Sequence, residues 1–273
     1  MPVLEAHVAQ RRPFWLWPNL LSLDAPVVAV LWQWFLAHRF SIPLRPAAQL
    51  VLGLTVWAIY LLDRLLDART TQHDSREPER HRFYRRHWSP MATVLVIVCA
   101  ADAGIALLWM RAPILRAGLV PAAGVLLYLV LFHSSGKRFA IPKELAVAIL
   151  FTAGTFLAPW TTLPCPRLAW AALAFFALCL ANLIAIEAWE WRELPTAMPH
   201  PYTRWLAKTY TFWVPVTGIV CLMLGRNEWY TSVAASATAC ALLFWTGRRI
   251  SLEARRALVD GVLLSPLLFL LLR

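Results

Sequence analysis

Nine apolar runs, each near the ~20 residues that carry a helix across a bilayer, follow one another along this chain. They lie at about 20–38, 47–66, 91–110, 114–133, 143–160, 168–188, 206–225, 229–247 and 258–272. At membrane depth the backbone can satisfy its own polar groups only within helices or a closed barrel, and runs of this length are helical. The sequence therefore predicts an all-α, polytopic membrane protein, with residues 1–273 forming a single transmembrane domain of about nine helices. Composition agrees, since 60% of the residues are hydrophobic against the ~45–50% of an ordinary soluble domain.

The charges between the runs predict an orientation. With a cytoplasmic N-terminus, segments 1–19, 64–90, 134–143, 192–208 and 248–256 hold 19 of the 26 lysines and arginines, and the opposite side holds 7. Positive charge stays inside, so the expectation is a multi-pass protein of the cell (inner) membrane with its C-terminus on the far side. Loops near 67–90, 134–143 and 191–205 then form a cytoplasmic polar cap. The net charge of +11 becomes a topological signal, and no nucleic-acid partner is expected. The five cysteines, mostly inside apolar runs and without metal-ligand or CxxC spacing, read as packing residues. The first eighteen residues offer no small-residue cleavage site, so a cleaved signal peptide is not expected.

The polar residues that interrupt this pattern carry the functional reading. Asp63 and Asp67 close the second run, four residues apart and so on one helix face. Glu187 and Glu190, followed by Glu193, close the sixth, and Lys137, Arg138 and Lys143 lie between the fourth and fifth. Carboxylates at membrane depth are costly and usually functional. Two acidic helix ends flanking a basic loop suit Mg²⁺, which is held by one or two carboxylates plus substrate phosphates. Lysine and arginine, including Arg64, would cover the remaining phosphate charge. Each residue also has a plainer reading: Asp63 and Asp67 as solvated helix ends paired with Arg64 or Arg69, the basic residues as topology markers, and Glu193 as a solvated helix-end charge. His73, His81 and His87 lack the spacing of a shared helical zinc site. Asp24, Tyr60, Trp57 and Asn182 are candidates for the cavity wall, with Asp260 near Asp24 in depth; Asp102 reads as a packing or hydrogen-bonding residue.

This order of parts resembles the UbiA superfamily of intramembrane prenyltransferases. Asp63 and Asp67 match the last two aspartates of that family's first motif, Asn-Asp-x-x-Asp-x-x-x-Asp, while Ile59 and Tyr60 occupy its first two polar positions. Glu187, Glu190 and Glu193 stand where the family has a second, aspartate-rich motif. The stretch from Tyr128 through Lys137 and Arg138 to Gly154 is similar to its Tyr…Lys-Arg…Gly segment. The resemblance implies a helical bundle around a lipid-accessible cavity. It also implies catalysis by Asp63, Asp67, Glu187 and Glu190 through Mg²⁺, and transfer of an isoprenyl chain from its diphosphate to an acceptor of unspecified kind. Lys137, Arg138, Arg64 and Lys143 would bind the diphosphate, and Trp57, Trp189 and Trp191 would face the allyl cation. The alternatives are a membrane terpene cyclase on the same fold, a transporter or proton-coupled carrier using Asp24, Asp63, Glu187 and Asp260, and a catalytically silent relative.

Overall fold

A computed structural model describes residues 13–70, 79–134, 141–193, 198–225 and 227–271. Every regular element among these is helical: α1 (Trp17–Leu20), α2 (Asp24–Arg39), α3 (Pro46–Thr70), α4 (Glu79–Arg86), α5 (Trp88–Trp109), α6 (Ala112–Ser134), α7 (Lys143–Thr162), α8 (Pro166–Glu193), α9 (Pro201–Lys208), α10 (Tyr210–Leu224), α11 (Glu228–Thr246), α12 (Leu252–Val262) and α13 (Pro266–Leu271).

Five helices, α3, α5, α6, α7 and α8, are long and apolar enough to cross a membrane. They coincide with the second to sixth expected runs. Two bent pairs raise the number to as many as seven if each is one broken span: Phe14–Leu20 meets α2 at 82°, and α9 meets α10 at 72°. The first bend turns through Ser22, at φ 54°, whose hydroxyl hydrogen-bonds the Tyr84 hydroxyl of α4 at 2.9 Å. These helices are compatible with a multi-pass membrane protein.

The last two expected runs depart from that pattern. Residues 229–247 do form one helix, α11, but its alanine, serine and threonine content leaves it outside both sets. The run expected at 258–272 is not continuous. It divides into α12 and α13 at Pro266, which can neither donate to the preceding turn nor avoid clashing with it. The carbonyls freed at this break are taken up by neighbours. Trp32 Nε1 donates to the Leu263 carbonyl at 2.7 Å, and Ser236 Oγ donates to the Val262 carbonyl at 2.8 Å. Ser265 Oγ in turn donates to the Ser232 carbonyl at 3.0 Å. The expected cap loops are also partly helical, containing α4 and α9.

Packing centres on α8, which touches α7, α9, α10, α11 and α12. Its small residues Ala171, Ala174, Ala181, Ala185 and Ala188 are buried and let neighbouring backbones approach, as membrane helix pairs require. Near the start of α11 the buried Trp229 ring meets Trp32 and Phe35 of α2, Phe156 of α7 and Phe175 of α8, with centroids 4.9, 5.9, 5.7 and 6.1 Å away. At the same end Arg39 of α2 pairs with Glu228 of α11. The other end of the bundle gathers most of the acidic residues.

Candidate functional site

Helix α3 delivers Tyr60, Asp63, Arg64 and Asp67 within two turns of one another. Asp63 Oδ1 accepts a hydrogen bond from the Tyr128 hydroxyl of α6 at 3.3 Å. Lys143, the first residue of α7, lies within electrostatic range of Asp63, Asp67, Tyr128 and Arg64. An extended Pro142 precedes it, so α7 begins at the lysine and its ammonium stays beside the acidic face of α3.

The end of α8 supplies the second acidic group. Glu190 Oε1 is shared by two guanidinium groups, Arg80 of α4 at 3.0 Å and Arg256 of α12 at 2.6 Å. Arg256 is only 1% exposed and also holds Glu253 of its own helix at 3.0 Å. Glu187, one turn earlier, is within range of Glu144, Glu190, Lys143 and Arg80. Glu193 pairs with Arg255, so it is not simply a solvated helix-end charge. A third group joins the two. Asn182 Nδ2 donates to Asp260 Oδ1 at 3.1 Å, Asn19 Nδ2 donates to Asp24 Oδ2 at 2.8 Å, and Asp24 and Asp260 lie within hydrogen-bonding reach of each other, beside Tyr60. A hydrogen bond between two carboxyl groups needs a proton on one of them.

Ten of the twelve residues singled out in the sequence can be located here, because Lys137 and Arg138 lie outside the described residues. Asp63, Asp67, Arg64, Lys143, Glu187, Glu190, Tyr60, Asn182 and Asp24 all belong to this one charged cluster. Trp57 stands next to it, its indole N–H donated to the Leu21 carbonyl at 2.9 Å, which fixes the ring. Trp189 has a different role from the cation wall expected of it. It is fully buried and stacked on Phe244, with Arg255 over its face at 5.5 Å. Asp102 accepts from Thr55 at 2.7 Å, the hydrogen-bonding role expected.

Two site residues went unnoticed in the sequence, Arg80 and Arg256. Both sit in charge-rich segments where positive residues are expected for topology alone, so nothing local separates them from their neighbours. Burial and the nearby Arg64 lower the Arg80 guanidinium to about 10 despite Glu190 beside it. Its neighbour His81, whose Nδ1 has no hydrogen-bond partner among the described residues, is pulled down to about 4 by burial and by the Arg80 and Arg64 cations.

Chemically, the cluster sets carboxylates beside ammonium and guanidinium groups. Among the described residues no three His, Cys, Asp or Glu side chains converge to cage a metal ion. Mg²⁺ does not need such a cage, since a carboxylate pair and phosphate oxygens serve it; Asp63 and Asp67 are the pair that the sequence leads one to expect. Glu190 differs from them, because its carboxylate is already held by two arginines. A separate cavity of about 320 Å³ opens between α7, α8 and α9, lined by Ile141, Pro142, Glu144, Leu145, Leu180, Ile184, Tyr202, Trp205 and Leu206. No family model, no curated protein and no solved structure matches the chain.

Proposed function

We propose that this chain is an integral-membrane prenyltransferase of UbiA type, acting on an isoprenyl diphosphate at the cytoplasmic face of the cell membrane with its N-terminus on that side. The observation that carries the reading is Lys143. Its ammonium lies within electrostatic range of the acidic end of α3 and of Glu187 on α8. One cation thus sits between two acidic helix ends, as a diphosphate clamp requires.

In the proposed reaction the C–O bond between the isoprenyl C1 and the diphosphate breaks and its electron pair leaves with the diphosphate. The acceptor's nucleophile bonds to C1 and gives up a proton. Asp63 and Asp67 would hold Mg²⁺, which would supply Lewis-acid stabilisation of the leaving diphosphate. Arg64 and Lys143 cover the phosphate charge that remains. Arg80 and Arg256 fix the Glu190 carboxylate, and so the end of α8, against α4 and α12. Tyr128, bonded to Asp63, orients that carboxylate. Trp57, tethered through its N–H, presents a fixed aromatic face, which is worth ~0.5–2 kcal/mol to a passing cation.

The test is purified protein in nanodiscs with radiolabelled isoprenyl diphosphates of several lengths and a lipid extract, with Mg²⁺ or with a chelator. Metal-dependent diphosphate release is expected, reduced by a factor of about 100 or more in Asp63→Asn, as when one preorganised charge-stabilising group is removed. Absence of both release and binding at every chain length overturns the reading. Product analysis separates transfer to an acceptor from closure of the cation on its own chain.

A further inference from the structure

The cavity between α7, α8 and α9 lies outside the cluster that the proposed reaction uses. Its walls are Leu145 of α7, Leu180 and Ile184 of α8 and Leu206 of α9, and its volume of about 320 Å³ has room for roughly ten groups the size of a methylene or a water. Two features make it more than a packing gap. Glu144 brings a carboxylate into an otherwise apolar lining, held in place by the Thr203 hydroxyl of α9 at 2.8 Å, with Glu187 within electrostatic range behind it. At the rim Tyr202 and Trp205 are 63% and 61% exposed.

A carboxylate in the lining, with two exposed aromatic side chains beside it, suits a cation by charge and by cation–π attraction. Apolar walls select a chain. The position selects the source: α7 and α8 are membrane-crossing in length and composition, and the cavity sits at their charged ends, where lipid headgroups meet protein. We propose that this cavity binds a bilayer phospholipid with a primary ammonium headgroup, its ammonium on Glu144 and the start of one acyl chain between Leu145, Leu180, Ile184 and Leu206.

The placement of Glu144 beside Lys143 gives such a lipid a consequence. Successive residues at the first turn of α7 point about 100° apart, Lys143 to the diphosphate cluster and Glu144 to the cavity. A bound ammonium lipid therefore fixes the same turn that positions Lys143.

Native mass spectrometry of the detergent-solubilised protein, offered equimolar phosphatidylethanolamine and phosphatidylcholine of identical acyl chains, tests the proposal without any reference to catalysis. The two heads differ in the N–H donors that quaternary methylation removes. Retention of phosphatidylethanolamine over phosphatidylcholine by about tenfold is expected, the scale of one charge-assisted hydrogen bond. Glu144→Gln keeps the size and the Thr203 contact, and is expected to bring that ratio to near one. Leu206→Trp, which fills the cavity from α9 and leaves Glu144 intact, is expected to abolish retention of both. Equal retention by the native protein, a preference that survives Glu144→Gln, or displacement of phosphatidylethanolamine by phosphatidylglycerol overturns the assignment. Asp63→Asn, which is expected to stop diphosphate release, leaves the lipid preference unchanged, so the two readings fail separately.

Discussion

Helices α5 and α8 are almost equally apolar, with mean hydropathies of 2.3 and 2.2 over their best windows, yet 6% of the first is buried and 50% of the second. Helix α5 packs mainly on α3, and Val96, Ile97, Leu107 and Leu108 face outward. Helix α8 packs against five helices and leaves part of its first half, with Trp170 and Leu173, exposed. Apolarity therefore does not decide which membrane helix becomes the core, since lipid accepts leucine as readily as protein does. The decision rests with the small and polar residues. Helix α8 carries a series of buried alanines together with Asn182, Glu187 and Glu190, whereas α5 offers the single carboxylate Asp102 and its bond to Thr55.

The sharpest way to break this comparison is to strip α8 of its partner charges. Arg256→Ala leaves Glu190 and Glu253 short of a buried guanidinium and is expected to cost about 3–5 kcal/mol, read as reversible unfolding in mixed micelles; a loss under ~1 kcal/mol removes α12 from the anchoring of α8. Phe175→Ala in α8 is expected to cost about 3 kcal/mol through the cavity it opens, while Leu107→Ala in α5 costs less than ~0.5 kcal/mol. Equal losses at these two sites would refute the contrast between an enclosed and a lipid-facing helix.

A pH scan probes the charged end. The His81 imidazole lies at about 4 in the folded protein, below the ~6.5 of the unfolded chain. A folded-state value below the unfolded one means that its contribution is fully present above pH ~6.5 and is lost as the pH falls towards 4. The native protein is expected to lose more Tm between pH 7.5 and pH 5 than His81→Gln does, by a few degrees. Identical losses would mean that His81 does not titrate differently on folding. The smallest effect is expected at Thr55→Val, about 0.6 kcal/mol for one interhelical hydrogen bond in a membrane protein, confined to the α3–α5 contact.

The five strongly apolar runs were legible because a long hydrophobic stretch has one structural solution at membrane depth. Their helices begin and end within a few residues of the expected limits, extended mainly by polar turns such as Asp67–Thr70 and Ala188–Glu193. The ninth run was not legible. Hydropathy averages over Pro266, and the break becomes tolerable only because Trp32 and Ser236 take up the loose carbonyls, a tertiary event. Among the site residues, Asp63, Asp67, Glu187 and Glu190 stood out as carboxylates at the ends of apolar runs. Arg80 and Arg256 did not, since a guanidinium in a charge-rich segment looks the same before folding whether or not it ends beside Glu190. The Glu144 cavity was equally hidden, being made only when three successive helices pack together.

The aromatic contacts around Trp229 bear on motion. Four helices, α2, α7, α8 and α11, meet there through interlocked rings, with the Arg39–Glu228 pair alongside, and close-packed rings give way poorly. The bundle is thus built like a pair of tongs riveted at one tip. Any opening that admits a ligand has to come from the jaws, where α4, α9 and α12 are short and joined by polar contacts that water can replace.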